Sequence, residues 1–342
     1  MVKARDMNQV TAEVIVVGAG ISGLLAARVL QDNGVSVCVM DKATSVGGRL
    51  ATRRIGTGVA DHGAQFFTVR HPQFQAMVDE WVAQDLVYVW SYGFNDGSLA
   101  TTPTDGHPRY AVRGGMNALA KHVASGLNDI RLGRKIVTAT YDEQGWVFQD
   151  ENADLFTSDA LIMTPPMPQT LAILEDGATF LNPTEKELVM AIEYAPCLAG
   201  MFWIEGGRVT LPAPGAIQRR TGNITWIADN HQKGISPNGI LVTVQASEEY
   251  SHQLWDAPDE RVLNALITDL RIFMDERVHI REAQLKRWRY SRPLNPFAEH
   301  CMVTQTPQPL ILAGDSFGSA RVEGAVMSGL SAGEAMLKLI KK

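Results

Sequence analysis

The chain first becomes apolar at Glu13 to Val17, EVIVV, an unbroken run that leads directly into Gly18-Ala-Gly20-Ile-Ser-Gly23. Such a run of β-branched residues, with no polar alternation, predicts a strand covered on both faces, as in a parallel sheet. Beyond the glycines, Leu24, Ala27 and Leu30 recur at helical spacing until Gly34, which predicts a helix closed by a glycine. A second apolar run, VSVCVMD, ends on Asp41. The opening segment is therefore expected to run strand, glycine turn, helix, strand.

Further along, IRLGRKIVTATYDEQGWVFQD alternates as a β-ribbon with EQG as its turn, and DALIMTPPMPQT (159–170) reads as a strand with a proline-rich exit. Between residues 196 and 290 the pattern predicts several strands, LAGMFWIEG, NITWIADN and GILVTVQAS among them, and one amphipathic helix at about 258–275. Trp288 and Tyr290 alternate on a further strand. Near the end, Leu310 to Ala313 predicts a strand and a long helix begins near Glu323. That helix repeats small residues at Gly324, Ser328 and Ala332 and again at Ala325, Gly329 and Gly333. Four-residue spacing puts each set on one face, so close helix packing is expected there.

Composition narrows the function classes. With 342 residues, 45% of them hydrophobic, the chain can bury a large core and is long enough for two domains. A net charge of −6 with acids and bases interspersed offers no basic face for a phosphodiester backbone, so no nucleic-acid partner is expected. No apolar stretch is long enough to cross a bilayer. The basic start imitates a secretory leader, but Gly18, Gly20 and Gly23 interrupt the apolar run, so about ten loose N-terminal residues and a cytoplasmic location are expected. Cys38, Cys197 and Cys301 are far apart and odd in number, which predicts reduced thiols. The eight histidines show no paired spacing, so no metal site is expected.

The chemistry lies in the glycines. Gly18 permits a tight turn, Gly20 lets backbone approach a pyrophosphate, and Gly23 allows close packing of helix on strand, with Ala19, Ile21 and Ser22 between them. The helix N-terminus then offers unpaired N–H groups to phosphate. Asp41, 18 residues past Gly23, is placed to accept hydrogen bonds from a ribose. This fingerprint fixes a dinucleotide and leaves FAD or NAD open. Gly47-Gly48-Arg49 adds flexible backbone and a guanidinium suited to a pyrophosphate.

GxGxxG followed by D-K-x-x-x-x-G-G-R resembles the flavoprotein superfamily that includes monoamine and polyamine oxidases. With ADHGAQFFT, MTPPMPQ, WIADN, KRWRYSRP and AGDSF, the chain resembles, more narrowly, the renalase family with its bacterial members. Residues 170–225 carry no matching stretch. The resemblance implies an α/β (α+β) two-domain flavoprotein. A Rossmann-type FAD-binding domain is expected from residues 1–67, 109–167 and 288–342, and a mixed-sheet substrate domain from 68–108 and 168–287. RYAVRGGMNALAKHV (109–123) resembles the turn and helix by which such chains re-enter the FAD domain.

The cofactor implied is FAD, held by Gly18 to Gly23, Asp41, Lys42, Gly48 and Arg49, with Val137 against the adenine. Gly314 and Asp315 are implied at the ribityl chain or phosphate. Val322 and Glu323 would offer N–H groups to the pyrimidine, where a helix N-terminus stabilises the anion of the reduced flavin. Ala64, Gln65 and Phe66 would cross the isoalloxazine. The surroundings of Cys301, EHCMVTQ, match no flavin attachment motif, so FAD is expected to be noncovalent.

The activity implied is oxidation of a small-molecule dinucleotide, a dihydronicotinamide reduced at ring position 2 or 6. Hydride would pass to flavin and O2 would reoxidise it, giving H2O2 and NAD(P)+. Candidate pocket residues are Gln65, Trp288, His62 and Asn230. Gln65 suits a hydrogen bond to a flavin heteroatom or a nicotinamide amide. His62 reads either as a satisfied core histidine or as an acid/base. Trp288 with Tyr290 suits a pocket wall or plain core. Asn230 with His231 suits a ligand loop or a turn. Arg219-Arg220 suits a substrate phosphate or solvated surface. Two rival functions share the scaffold: an amine oxidase or desaturase, and a flavin-binding sensor module.

Overall fold

A computed structural model describes residues 11–98, 101–142, 144–307 and 309–341. The ten N-terminal residues expected to be loose, and Glu143 of the expected EQG turn, lie outside the described residues. In chain order the elements begin with β1 (Ala12–Val17), α1 (Ile21–Asp32), β2 (Val37–Asp41), β3 (Thr52–Ile55), β4 (Gly58–Asp61), α2 (Pro72–Ala83), β5 (Val87–Ser91) and β6 (Arg109–Val112). There follow α3 (Asn117–Ala124), β7 (Ile130–Leu132), β8 (Ile136–Asp142), β9 (Gly145–Asp150), β10 (Leu155–Met163), α4 (Met167–Asp176) and α5 (Pro183–Met190). Next come β11 (Tyr194–Glu205), β12 (Ala216–Gln218), β13 (Ile224–Asp229), β14 (Ile240–Ala246), α6 (Glu248–Gln253) and α7 (Asp259–Arg271). The chain closes with β15 (His279–Pro293), β16 (Met302–Val303), β17 (Leu310–Leu312) and α8 (Val322–Ile340). None of the described helices is long and apolar enough to cross a membrane.

The chain divides into two compact units. The first comprises Met1–Gly48, Ala120–Glu193 and Pro293–Lys342. Here β1 lies between β10 and β2, parallel to both, and the sheet continues through β17 to β16 on one side and to β7 on the other. Val14, Ile15 and Val16 have no exposed surface, as an uninterrupted β-branched run in a covered parallel sheet requires. The β8–β9 ribbon joins antiparallel at β10. α8 packs on α1 through the small residues read from its sequence. A Cβ on Gly329 would stand 2.3 Å from the Ser22 carbonyl oxygen, and one on Gly333 would stand 2.9 Å from that of Ala26.

The second unit comprises Arg49–Leu119 and Tyr194–Arg292. Its main sheet runs β12-β13-β14-β11-β15, with β13, β14 and β11 antiparallel. α7 buries Val262, Leu266, Ile267 and Leu270 in a core with Phe202, Ile227, Val242 and Val244. It ends at Arg271, before the expected position near 275, because the chain tightens: Phe273 N–H reaches the Leu270 carbonyl and Met274 pairs with Val209.

This division runs differently from the expected one. Residues 49–67, 109–119 and 288–292 group with the β11–β15 sheet: the β3–β4 hairpin packs Ile55 and Ala60 onto Met201 and Leu241, and 288–292 continue β15. Residues 168–193 group with the parallel sheet. There a Cβ on Gly177, which follows α4, would lie 2.3 Å from the Ala139 carbonyl oxygen of β8.

Candidate functional site

In the first unit the glycine turn is built as its spacing predicts. Gly18 has φ +108°, and a Cβ there would stand 2.3 Å from Thr164 Oγ1; on Gly23 it would stand 2.0 Å from the Gly18 carbonyl oxygen. Both positions exclude a side chain on internal grounds. Gly20 is different: its backbone is ordinary, φ −73° and ψ 172°, and a Cβ would have no neighbour within 4 Å. The protein leaves open space over Gly20. α1 starts there with no side-chain cap, and the hydroxyl of Ser22 is buried with no partner among the described residues. Open space over Gly20 at an uncapped helix start suits a phosphate, which the unpaired N–H groups of the first turn would receive.

Asp41 holds this turn. Its Oδ2 accepts from Ala19 N–H and its Oδ1 from Ala43 N–H, both at 2.7 Å, which leaves further lone pairs for a ribose. Gly47 N–H donates to the Ala19 carbonyl at 2.8 Å, bringing the twin glycines against the turn. Gly48, at φ +53°, would put a Cβ 3.5 Å from Gly20 Cα. Lys42 is exposed and donates to Gln169 Oε1 at 3.0 Å.

Val137 stands at a register shift between Ile136 and Thr138, which frees its backbone from the β8–β9 ladder. Gly314 has φ +123° and donates its N–H to Ser328 Oγ at 2.8 Å, setting the loop that carries Asp315. α8 opens at Val322 and Glu323 with no side-chain cap. Open space over Gly20, an orphaned Ser22 hydroxyl and two uncapped helix starts fit an anionic dinucleotide such as FAD.

The second unit carries a different cluster. β4 ends on Asp61, which is fully buried. Its Oδ1 accepts from Thr52 Oγ1 (2.5 Å) and Met116 N–H (2.8 Å), and its Oδ2 from Lys233 Nζ (2.6 Å). Lys233 is equally buried. Its ammonium also donates to the Gln65 carbonyl at 2.6 Å and lies 4.9 Å from the Trp90 ring centroid. Desolvation pushes the lysine pKa down, against the opposing pull of Asp61. A buried lysine is rare without such a partner. Sequence alone does not single out this residue, because K in WIADNHQKG is indistinguishable from a solvated loop lysine.

Gln65 is fixed by this frame. Its Nε2 donates to the carbonyls of Asp61 (2.8 Å) and Gly63 (3.2 Å), while its Oε1 is buried with no partner among the described residues. His62, of the same loop, also has a buried Nδ1 with no partner among the described residues. Its ring stacks on Trp288 with centroids 5.5 Å apart, and Trp288 Nε1 donates to the His62 carbonyl at 2.8 Å. Burial lowers the His62 pKa to about 4, assisted by the nearby cations Arg53 and Lys286. The Lys286 ammonium lies 4.8 Å from the Trp288 ring centroid.

The other candidates have structural partners. Asn230 accepts from Asp61 N–H at 3.3 Å and donates to the Leu241 carbonyl and to Thr243 Oγ1, both at 3.0 Å. Its amide is engaged at both ends, so it braces Asp61. His231 Nδ1 pairs with the Ser236 carbonyl at 2.8 Å. Arg219 is engaged by Asp269 at 2.9 Å and by the Asp96 carbonyl, while Arg220 is exposed. Arg49 Nη1 donates to the carbonyls of Tyr290 and Ser291. Ala64 N–H donates to the Arg49 carbonyl at 2.9 Å, and Phe66 packs on Phe94 and Trp226. Tyr290 meets Tyr194 edge-on. Cys38, Cys197 and Cys301 are free thiols; burial pushes Cys38 and Cys197 up to about 12.

Residues 16–81 match the model of an NAD(P)-binding Rossmann-like domain, and residues 83–337 match that of the flavin containing amine oxidoreductases. The chain is 21% identical over 353 residues to renalase of Mus musculus, covering 97% of this chain and 99% of that protein. Over 83 residues it is 35% identical to putrescine oxidase of Kocuria rosea, covering 23% of this chain and 17% of that protein. Two solved structures share the fold. One, from Exiguobacterium sp. 255-15 and described as a protoporphyrinogen oxidase, has a TM-score of 0.71 at 13% identity, covering 97% of this chain and 99% of the other. The other, a putrescine oxidase, has a TM-score of 0.65 at 14% identity, covering 96% and 99%.

Proposed function

Because the chain belongs to the flavin containing amine oxidoreductase family and is an FAD-dependent oxidoreductase, we propose that it oxidises a dihydronicotinamide dinucleotide reduced at ring position 2 or 6. The products would be NAD(P)+ and hydrogen peroxide. FAD, when bound, supplies the hydride acceptor, and dioxygen is the final oxidant. We assign its binding in the first unit to Gly18 through Gly23, Asp41, Lys42, Gly48, Val137, Gly314, Asp315, Val322 and Glu323.

One observation carries the choice of substrate: the charges that bear on His62 are positive. Arg53 and Lys286 both depress its pKa, and the buried acid beside it, Asp61, is neutralised by Lys233 at 2.6 Å. An amine arrives as an ammonium ion and needs an uncompensated carboxylate or aromatic cage to be recognised. A dinucleotide arrives with a diphosphate and is drawn to such a surface. Its ring nitrogen carries no transferable proton, so the chain needs no general base. Its residues have to orient the ring and exclude water. Trp288, stacked on His62, supports a wall for a planar ring.

The test is anaerobic mixing of the holoenzyme with 6-dihydro-NAD and, separately, with putrescine and benzylamine, following the flavin absorbance. Rapid bleaching by the dihydronicotinamide alone is expected. Bleaching by the amines alone would make the protein an amine oxidase. Bleaching by none, with FAD retained, would make it a flavin-binding module.

A further inference from the structure

Two buried polar atoms in one short loop have no partner among the described residues: His62 Nδ1 and Gln65 Oε1. Each residue is only 5% exposed. A buried polar atom without a partner costs about 1–3 kcal/mol, so two of them, three residues apart, point to a ligand that satisfies both. Their geometry is fixed. Gln65 cannot flip its amide, because its Nε2 is held by the carbonyls of Asp61 and Gly63 and those groups accept only. Lys233 fixes the main chain of the same residue through its carbonyl oxygen. The His62 ring is held flat on Trp288, whose indole N–H also ties down the His62 carbonyl.

An amide oxygen can only accept. The complementary group therefore presents an N–H to Gln65. A neutral imidazole is able to donate from one nitrogen, and its environment keeps His62 neutral at ordinary pH. A primary carboxamide offers N–H on one side and a carbonyl oxygen on the other. We infer that His62 and Gln65 form the receptor for the substrate's carboxamide, with Gln65 Oε1 accepting from its N–H and His62 Nδ1 donating to its carbonyl oxygen. This rests on the dihydronicotinamide reading and assigns the part of that substrate that is recognised. Lys233 and Asp61 are then positioning residues that hold the acceptor in place.

The test pairs protein variants with two substrates in stopped-flow flavin reduction: 6-dihydro-NAD and its 3-acetylpyridine counterpart, which keeps the carbonyl but lacks the N–H. Gln65→Leu should lose at least about tenfold in kred/Kd with the carboxamide and less than threefold with the acetyl compound. His62→Leu should lose at least about tenfold with both, since both keep the carbonyl. His62→Asn, which places an amide N–H near the Nδ1 position, should restore most of the rate with both. Equal losses for the two substrates in Gln65→Leu would overturn the inference. So would a Gln65→Leu protein that loses FAD occupancy while its retained fraction discriminates normally, because Gln65 would then serve the flavin. If wild-type enzyme is reduced by neither compound, the substrate reading fails instead.

Discussion

His62 shows how one side chain's surroundings set its role. With its pKa lowered to about 4 by burial, the imidazole is neutral at physiological pH. His62→Asn should therefore slow flavin reduction by less than about tenfold, well short of the 10²–10⁴ that follows loss of a general base. Stopped-flow reduction across pH checks this; a hundredfold loss, with a titrating limb gone from the profile, would make His62 a base. The same shift predicts a stability signature. The unfolded chain protonates its histidine near 6.5 while the folded one resists to about 4, so stability falls as pH drops through that window. His62→Asn should lose less stability between pH 6.5 and 4 in denaturant titrations. Lys233 carries a larger consequence. Lys233→Met leaves the Asp61 carboxylate buried and unpaired, which should cost about 3–5 kcal/mol. Adding Asp61→Asn should recover much of it, because the amide keeps an oxygen for Thr52 and Met116. A double variant no more stable than Lys233→Met would mean the pair is not the coupled unit the geometry shows. The Lys233–Asp61 pair could not be read from sequence: ADHGAQF and HQKG lie far apart in the chain, and only folding brings the lysine to the aspartate.

Among the elements, β1, α1 and β2 were legible because apolar runs and glycines specify them locally, and α8 because its small residues repeat at helical spacing. The glycines separate structure from ligand. Gly20→Ala adds a methyl to open space at an ordinary backbone angle. It should leave the apo-protein's melting temperature nearly unchanged and sharply reduce FAD occupancy. Gly23→Ala drives a Cβ to within 2.0 Å of the Gly18 carbonyl oxygen, so it should lower the melting temperature with or without FAD. Differential scanning fluorimetry with flavin absorbance distinguishes them. Gly20→Ala protein with full flavin occupancy would refute the open space as a cofactor site. The β3–β4 hairpin was not legible. TRRI carries exposed arginines and no clean alternation, and what makes it a strand is the packing of Ile55 and Ala60 on another sheet.

For the molecule as a whole, a net charge of −6 should repel an anionic substrate of the kind proposed, while Arg53 and Lys286, the cations beside His62, should attract it locally. With a Debye length of about 8–10 Å near physiological salt, the long-range repulsion is screened first and the close attraction governs capture. Raising salt from low to about 0.5 M should still lower the second-order rate of flavin reduction by a dinucleotide, as the nearby cations are screened in turn. Arg53→Gln with Lys286→Gln should flatten that dependence. A rate indifferent to salt in both proteins would remove charge from the account of substrate choice. The sequence by itself determined the dinucleotide turn and the membership of a flavoprotein family, because each is written in contiguous residues whose geometry is local. The tertiary structure alone decided which segments share a compact unit. It also decided that Asn230 is a brace, that Lys233 is buried, and that His62 and Gln65 each keep a polar atom with no partner among the described residues. Those properties depend on burial and on partners more than a hundred residues away, and burial, not residue type, decides whether a charge is solvated, paired or held for a ligand.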